Sequence, residues 1–137
     1  MILADTTFLI DALRKKSEVK SFLTQYPDEV FFTTEINVFE LLLGLYSSKN
    51  LEENSALMQQ RLARLDELLS RFQILPFERK EAILSAKVLG KLNRLGQKIE
   101  FRDGIIAGIA MSNGITTILT KNIDHYSRIE NLQVVTY

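Results

Sequence analysis

Four stretches of the chain carry acidic residues where burial is expected. Asp5 follows the apolar "MILA", which reads as a buried strand, and Asp is depleted in strands and rarely buried without a partner. Glu40 lies in "INVFELLLGLY", where its helical neighbours are Ile36, Asn37, Leu43 and Gly44 and nearly every other position is apolar. Asp103 opens "RDGIIAGIAMSNG", a segment almost wholly small or apolar, and Asn122 and Asp124 stand in "KNIDHY". An unpaired buried carboxylate costs several kcal/mol and neutralises unless a cation or donor compensates it. A crevice of carboxylates with no fixed countercharge repels itself, and a bound hard cation resolves the repulsion. Mg2+ or Mn2+ takes oxygen ligands, keeps several waters and needs only one or two carboxylates directly. Plainer roles compete: Asp5 and Asp103 fit helix starts, where a cap or the helix dipole favours an acid, and Glu40 with Asn37 fits a narrow polar stripe.

The elements that must position these acids alternate. Strand-like runs are the opening segment, "VFFTT" at 30–34, "FQIL" at 72–75, "ITTILT" at 115–120 and "LQVVTY" at 132–137. Helical spacing runs from Phe8 to Lys16, Val19 to Tyr26, Ile36 to Ser48, Leu51 to Arg71, Glu78 to Leu95 and Gly104 to Asn113, with Gly96 and Gly114 as C-terminal stops. Gly104, Ala107, Gly108 and Ala110 are small enough to let their helix pack close against a neighbour. The alternation predicts an α/β fold: one domain over 1–137, with a central parallel sheet of about four to five strands and helices on both faces. In such sheets ligands bind beyond the carboxyl ends of the strands, where Asp5 stands.

Composition narrows the function classes. The chain has 137 residues, enough to bury roughly two thirds of its unfolded surface. No apolar stretch approaches the ~20 residues of a membrane span, and Asp5 and Asp11 interrupt the only segment resembling a signal peptide. The absence of cysteine excludes disulfides and thiolate zinc sites and agrees with a cytoplasmic location. Seventeen Lys and Arg balance seventeen Asp and Glu, so a nucleic-acid surface must be a local patch.

Asp5, Glu40, Asp103 and the 122–124 segment together resemble the PIN-domain nucleases, most closely the VapC-type toxins of bacterial and archaeal toxin–antitoxin pairs. The resemblance runs through the whole chain. "ILADTTFLIDAL" looks like the family's opening strand–Asp–Thr–Ser/Asn–helix segment, with Thr7 at its hydroxyl position. "VFELLLGL" is similar to its Glu-bearing helix, "RDGIIAGIAMSNG" to its Asp–helix segment and "ILTKNIDHYSRIENLQVV" to its closing stretch. One position departs: the acid often found two residues after the threonine is Asn122 here, and Asp124, two further on, is the candidate substitute.

The resemblance implies a Mg2+-dependent endoribonuclease, with Mn2+ able to substitute, that acts on structured RNA of the tRNA or rRNA class. It also implies inactivation by a cognate small DNA-binding antitoxin, and a homodimer. On this basis Asp5 and Asp103 bind the metal, Glu40 binds it or orients the attacking water, and Asp124 leans towards Asp103 to support a second ion. Thr7 hydrogen-bonds a carboxylate, Asn122 caps a short helix, and His125 is a surface or packing residue. The single histidine separately excludes metal-free cleavage by a pair of imidazoles. Lys87, Lys91, Arg94 and Lys98 recur at helical spacing before Asp103 and form a candidate RNA stripe, with Arg14, Lys15 and Lys16 as a second. Surplus apolar side chains at Phe39, Leu41, Leu42, Leu45 and Tyr46 and in the leucines of 57–69 suggest an exposed face for a partner. Three alternatives stand beside these expectations: a phosphatase domain, which wants an Asp at Thr7; a phosphotransfer domain, for which only Lys121 speaks; and a PIN-like binding or scaffold protein with weakened catalysis.

Overall fold

The computed structural model describes residues 1–137. Its strands are β1 Ile2–Ala4, β2 Phe31–Thr34, β3 Gln73–Leu75, β4 Thr117–Leu119 and β5 Gln133–Val135. They form one sheet in the order β3-β2-β1-β4-β5, every pair parallel. The helices are α1 Thr6–Leu13, α2 Ser17–Gln25, α3 Glu35–Tyr46, α4 Lys49–Glu52, α5 Ser55–Leu69, α6 Arg79–Arg94, α7 Phe101–Ser112 and α8 Ile123–Tyr126.

Strand alternation divides the core between the two faces of the sheet. Ile2, Ala4 and Leu119 pack with Phe8, Leu9, Val19, Phe22, Leu41, Leu65 and Leu69 from α1, α2, α3 and α5. Leu3 and Ile118 point the other way, to Leu92, Ile106, Ala107, Ala110 and Tyr126 from α6, α7 and α8. The chain winds outwards from β1 through β2 to β3, then returns to lay β4 on the other side of β1. The strand order therefore reverses between β1 and β4, and the crevice at their carboxyl ends is where such a sheet binds ligands. Asp5 directly follows β1 and Thr120 directly follows β4.

Two helices are held in place by features visible in their residues. A Cβ on Gly108 would lie 2.1 Å from the Ser85 Oγ and 2.6 Å from its Cα, and one on Gly104 would lie 2.2 Å from Leu89. α7 thus packs on α6 at backbone distance, which fixes the height of Asp103. The expected stops Gly96 and Gly114 both take the left-handed conformation, with φ of 69° and 71°. One expectation is corrected: Leu51 to Arg71 is two helices, because Asn54 leaves the helical conformation and its side chain accepts from the Leu57 N–H to start α5.

Candidate active site

Asp5 stands at the start of α1 and is 3% exposed. Its backbone carbonyl accepts from the N–H groups of Phe8 and Leu9, but its carboxylate makes no cap bond. Instead Oδ1 accepts from the Asn37 amide at 3.1 Å and Oδ2 from the Thr120 hydroxyl at 3.0 Å. The helix-cap role is thus not what holds this side chain. Burial pushes the Asp5 carboxyl above its ordinary range, and the nearby Asp103 pushes it the same way, against the donors that steady its charge.

Asn37 is brought there by the start of α3. The Thr34 hydroxyl donates to the Asn37 Oδ1 at 2.7 Å and accepts from its N–H at 3.2 Å, a reciprocal cap that leaves the amide nitrogen free to reach Asp5 and, at 2.9 Å, the Thr6 hydroxyl. Thr6 in turn donates to Glu40 Oε1 at 3.3 Å. Glu40 is half-buried one turn along α3, and its carboxyl is shifted upwards by burial and by Asp5, with the Arg102 guanidinium 3.8 Å away opposing.

Asp103 lies in the first turn of α7 and is 9% exposed. Its Oδ2 accepts from the Asn122 amide at 2.7 Å and lies 2.6 Å from His125 Nδ1, and the Tyr126 hydroxyl approaches Oδ1 at 3.4 Å. A carboxylate only accepts, so Nδ1 carries the imidazole proton in this contact. Burial and the charges of Asp5 and Asp103 hold the Tyr126 hydroxyl well above its ordinary range, keeping it a donor.

Asp5, Glu40 and Asp103 are thus brought together, and four expectations are corrected. Asp124 does not lean towards Asp103: its side chain is 77% exposed and bonds Arg128 Nη2 at 3.0 Å, one turn away on the outer face. Asn122 starts α8 but makes no side-chain cap bond, because its amide serves Asp103. His125 belongs to the cluster. Thr7 touches no carboxylate; its hydroxyl lies 3.3 Å from that of Thr120 and accepts from the Lys121 N–H, so it steadies Asp5 only through Thr120. Asn37, Thr120, Thr6, His125, Tyr126 and Arg102 are the site residues that sequence reasoning missed. The Thr34–Asn37 spacing at a helix start was the available signal for one of them. Lys121, the suggestive residue for phosphotransfer chemistry, bonds Asp11 at 2.9 Å rather than Asp5.

The predicted basic stripe is not gathered at this cluster. Lys87 and Lys91 border a separate hollow of about 230 Å3 with Arg128, and Lys91 is paired to Glu130 at 2.8 Å. Arg94 lies in the last turn of α6, and the Lys98 carbonyl accepts from Arg128.

No three His, Asp or Glu side chains converge closely enough to hold a metal ion by themselves. The donor set still fits a hard cation. Its three acids offer carboxylate oxygens, burial and neighbouring acids push the Asp5 and Glu40 carboxyls upwards, and no cationic side chain is paired with Asp5. A cation that keeps most of its waters requires no more than two carboxylates.

A family model described as "PIN domain" matches residues 2–132, and the chain belongs to that family. It is 30% identical over 135 residues to the ribonuclease VapC1 of Rickettsia felis, covering 98% of this chain and 95% of the relative. It is 27% identical over 101 residues to the tRNA(fMet)-specific endonuclease VapC of Salmonella typhimurium, covering 74% and 70%. Among solved structures it is similar to VapBC2 from Rickettsia felis bound to a promoter DNA fragment, with a TM-score of 0.83, 26% identity, and 100% and 99% of the two chains covered. The parallel five-stranded sheet flanked by helices is the fold of these proteins.

Proposed function

We propose that the protein is a Mg2+-dependent endoribonuclease that hydrolyses structured RNA of the tRNA or rRNA class, as the toxin of a toxin–antitoxin pair. The observation that carries this reading is the pair Asp5 and Asp103: two buried carboxylates at the switch point of the sheet, each hydrogen-bonded to amide, hydroxyl or imidazole donors. When bound, a hard divalent cation would lower the pKa of water and stabilise charge on the phosphate. Asp5 and Asp103 would hold it. Asn37 and Thr120 orient Asp5, and Asn122 and His125 orient Asp103. Glu40, raised by burial and by Asp5, would take a proton from the attacking water, and the Thr6 hydroxyl donates to its carboxylate. Mn2+ offers the same oxygen preference and would substitute.

The relatives' names support the nuclease class, and one of them names tRNA. Complexes of the VapBC kind support a cognate DNA-binding antitoxin as partner. An exposed apolar line on α3, Phe39, Leu43 and Tyr46, gives such a partner or a second copy a surface to cover. No helix is long and apolar enough to cross a membrane, which agrees with action in the cytoplasm.

Incubation of the purified protein with total RNA and Mg2+ or Mn2+, followed by sequencing of new ends, tests the reading. Discrete metal-dependent cleavage lost in Asp5→Asn is the expected result. The second reading, a PIN-like scaffold without catalysis, draws on the neutral Asn122 where an acid is common, and RNA left intact under both metals would favour it.

A further inference from the structure

Glu40 faces two ways. Beside the carboxylate cluster, it also borders an open groove of about 750 Å3 between α1, α3 and α5. The groove floor is apolar, built on Leu41 and Leu65. Its rim carries Arg14 and Lys15 from the end of α1 and Arg61 and Arg64 from α5. Four cations stand there against one carboxylate, in a chain whose formal charges cancel. None of the four takes part in an ion pair. Only Arg64 is engaged, through Nη2 on the Leu13 carbonyl at 2.9 Å.

Lys15 is placed by the way α1 ends. α1 ends with the Lys16 N–H on the Asp11 carbonyl and the Lys15 N–H on the Ala12 carbonyl, the Schellman pattern, which needs a left-handed residue at the position of Lys15. Glycine or asparagine is usual there, yet lysine takes φ of 56°. That conformation leaves the Lys15 side chain on the rim of the groove, beside Arg14.

We infer that this groove is the track by which the RNA backbone reaches the carboxylate site, its rim cations taking phosphates beside the scissile one. The inference rests on the nuclease reading above. The four cations line the same groove as Glu40, and its apolar floor suits the faces of unstacked bases or riboses. An acidic polypeptide is the competing occupant, but it supplies no phosphodiester to the acids at the inner end.

The test uses Asp103→Asn as the uncleaving parent in metal-free buffer, with a fluorescein-labelled single-stranded oligoribonucleotide of mixed sequence as probe. Affinity is measured from about 50 to about 300 mM KCl. Arg61→Gln and Lys15→Gln should each weaken binding several-fold at low salt and flatten the log–log salt slope by about 0.7, the two adding in the double variant. Lys15→Gly should weaken binding equally while Tm stays level or rises. Slopes and affinities equal to the parent's, with the wild type still cleaving total RNA under Mg2+, would overturn the track and leave the nuclease reading standing. Tighter binding of polyglutamate than of the oligoribonucleotide, lost in the double variant, would assign the groove to an acidic polypeptide and overturn the proposal. A wild type that neither cleaves nor binds RNA would end both.

Discussion

Asp5 and Asp11 sit six residues apart at the two ends of one helix, and both are almost completely buried, at 3% and 5% exposure. Their surroundings differ in one respect. Asp11 meets Lys16 at 2.8 Å, Lys121 at 2.9 Å and the Tyr137 hydroxyl at 2.9 Å, and these partners, Lys16 first, hold its carboxyl well below the usual range. Asp5 meets an amide and a hydroxyl, faces Asp103, and is pushed the other way. Burial alone therefore does not mark a functional acid. Burial with donors but without a countercharge does, because the missing charge is what a cation supplies.

The contrast is broken most severely by Asp5→Asn. Cleavage should fall by at least about 100-fold, beyond the loss typical of a residue that only supports a metal ligand, while metal-free stability stays level or rises as carboxylate repulsion is relieved. A single-turnover cleavage assay beside a thermal melt reads both. Asp11→Asn should do the reverse, costing about 1.5–3 kcal/mol of stability by denaturant unfolding, the range for hydrogen bonds to a charged group, with only a modest loss of rate. Next come Asn122→Ala and His125→Ala, each expected to lower Mg2+ affinity or cleavage roughly 10-fold through a loosened Asp103. Asp124→Asn should be smallest, within about twofold, because an exposed ion pair contributes little. Mg2+ titration of cleavage in these last three variants checks that order, and a silent Asn122→Ala beside an inactive Asp124→Asn would reverse it.

The same two acids give opposite pH signatures in the metal-free protein. Asp5 and Glu40 are raised above 3.8 and 4.5, so just above those values the folded state holds more protons than the unfolded one, and stability falls as pH rises. Asp11 is lowered, so its stabilisation is present above 3.8 and is lost as pH falls below it. Subtracting the unfolding free energies of Asp5→Asn and Asp11→Asn from that of the wild type across pH should give curves of opposite slope.

Much of this was legible in the chain. The parallel sheet followed from strands alternating with helices, and the close packing of α7 from Gly104 and Gly108. The three acids stood out because each interrupts an apolar segment. What stayed hidden depended on which side chain reaches across the crevice. Asn122 at a helix start is an ordinary cap, and only the fold reveals that Asp103 lies nearer than the backbone it would have capped. Asp124 and His125 are neighbours on a four-residue helix, so a turn of about 100° sends one to Arg128 in solvent and the other to Asp103. Lys87, Lys91 and Arg94 of the basic stripe share α6, but the helix ends at Arg94 and leaves Lys98 beyond it. Spacing also says nothing about which face of the molecule a helix shows, and Arg61 and Arg64 lie on α5, more than twenty residues from every acid of the site.

The central claim is that Asp5 is buried with no ion-pair partner of its own and takes a divalent cation, whereas Lys16 and Lys121 already supply the countercharge of Asp11. Thermal unfolding of the wild type, Asp5→Asn and Asp11→Asn with and without Mn2+ tests it most directly. Mn2+ should raise Tm in the wild type and in Asp11→Asn, and leave Asp5→Asn unmoved at a Tm no lower than the metal-free wild type. An Asp5→Asn protein that melts well below the wild type without metal, and whose Tm Mn2+ raises as much as the wild type's, would contradict it.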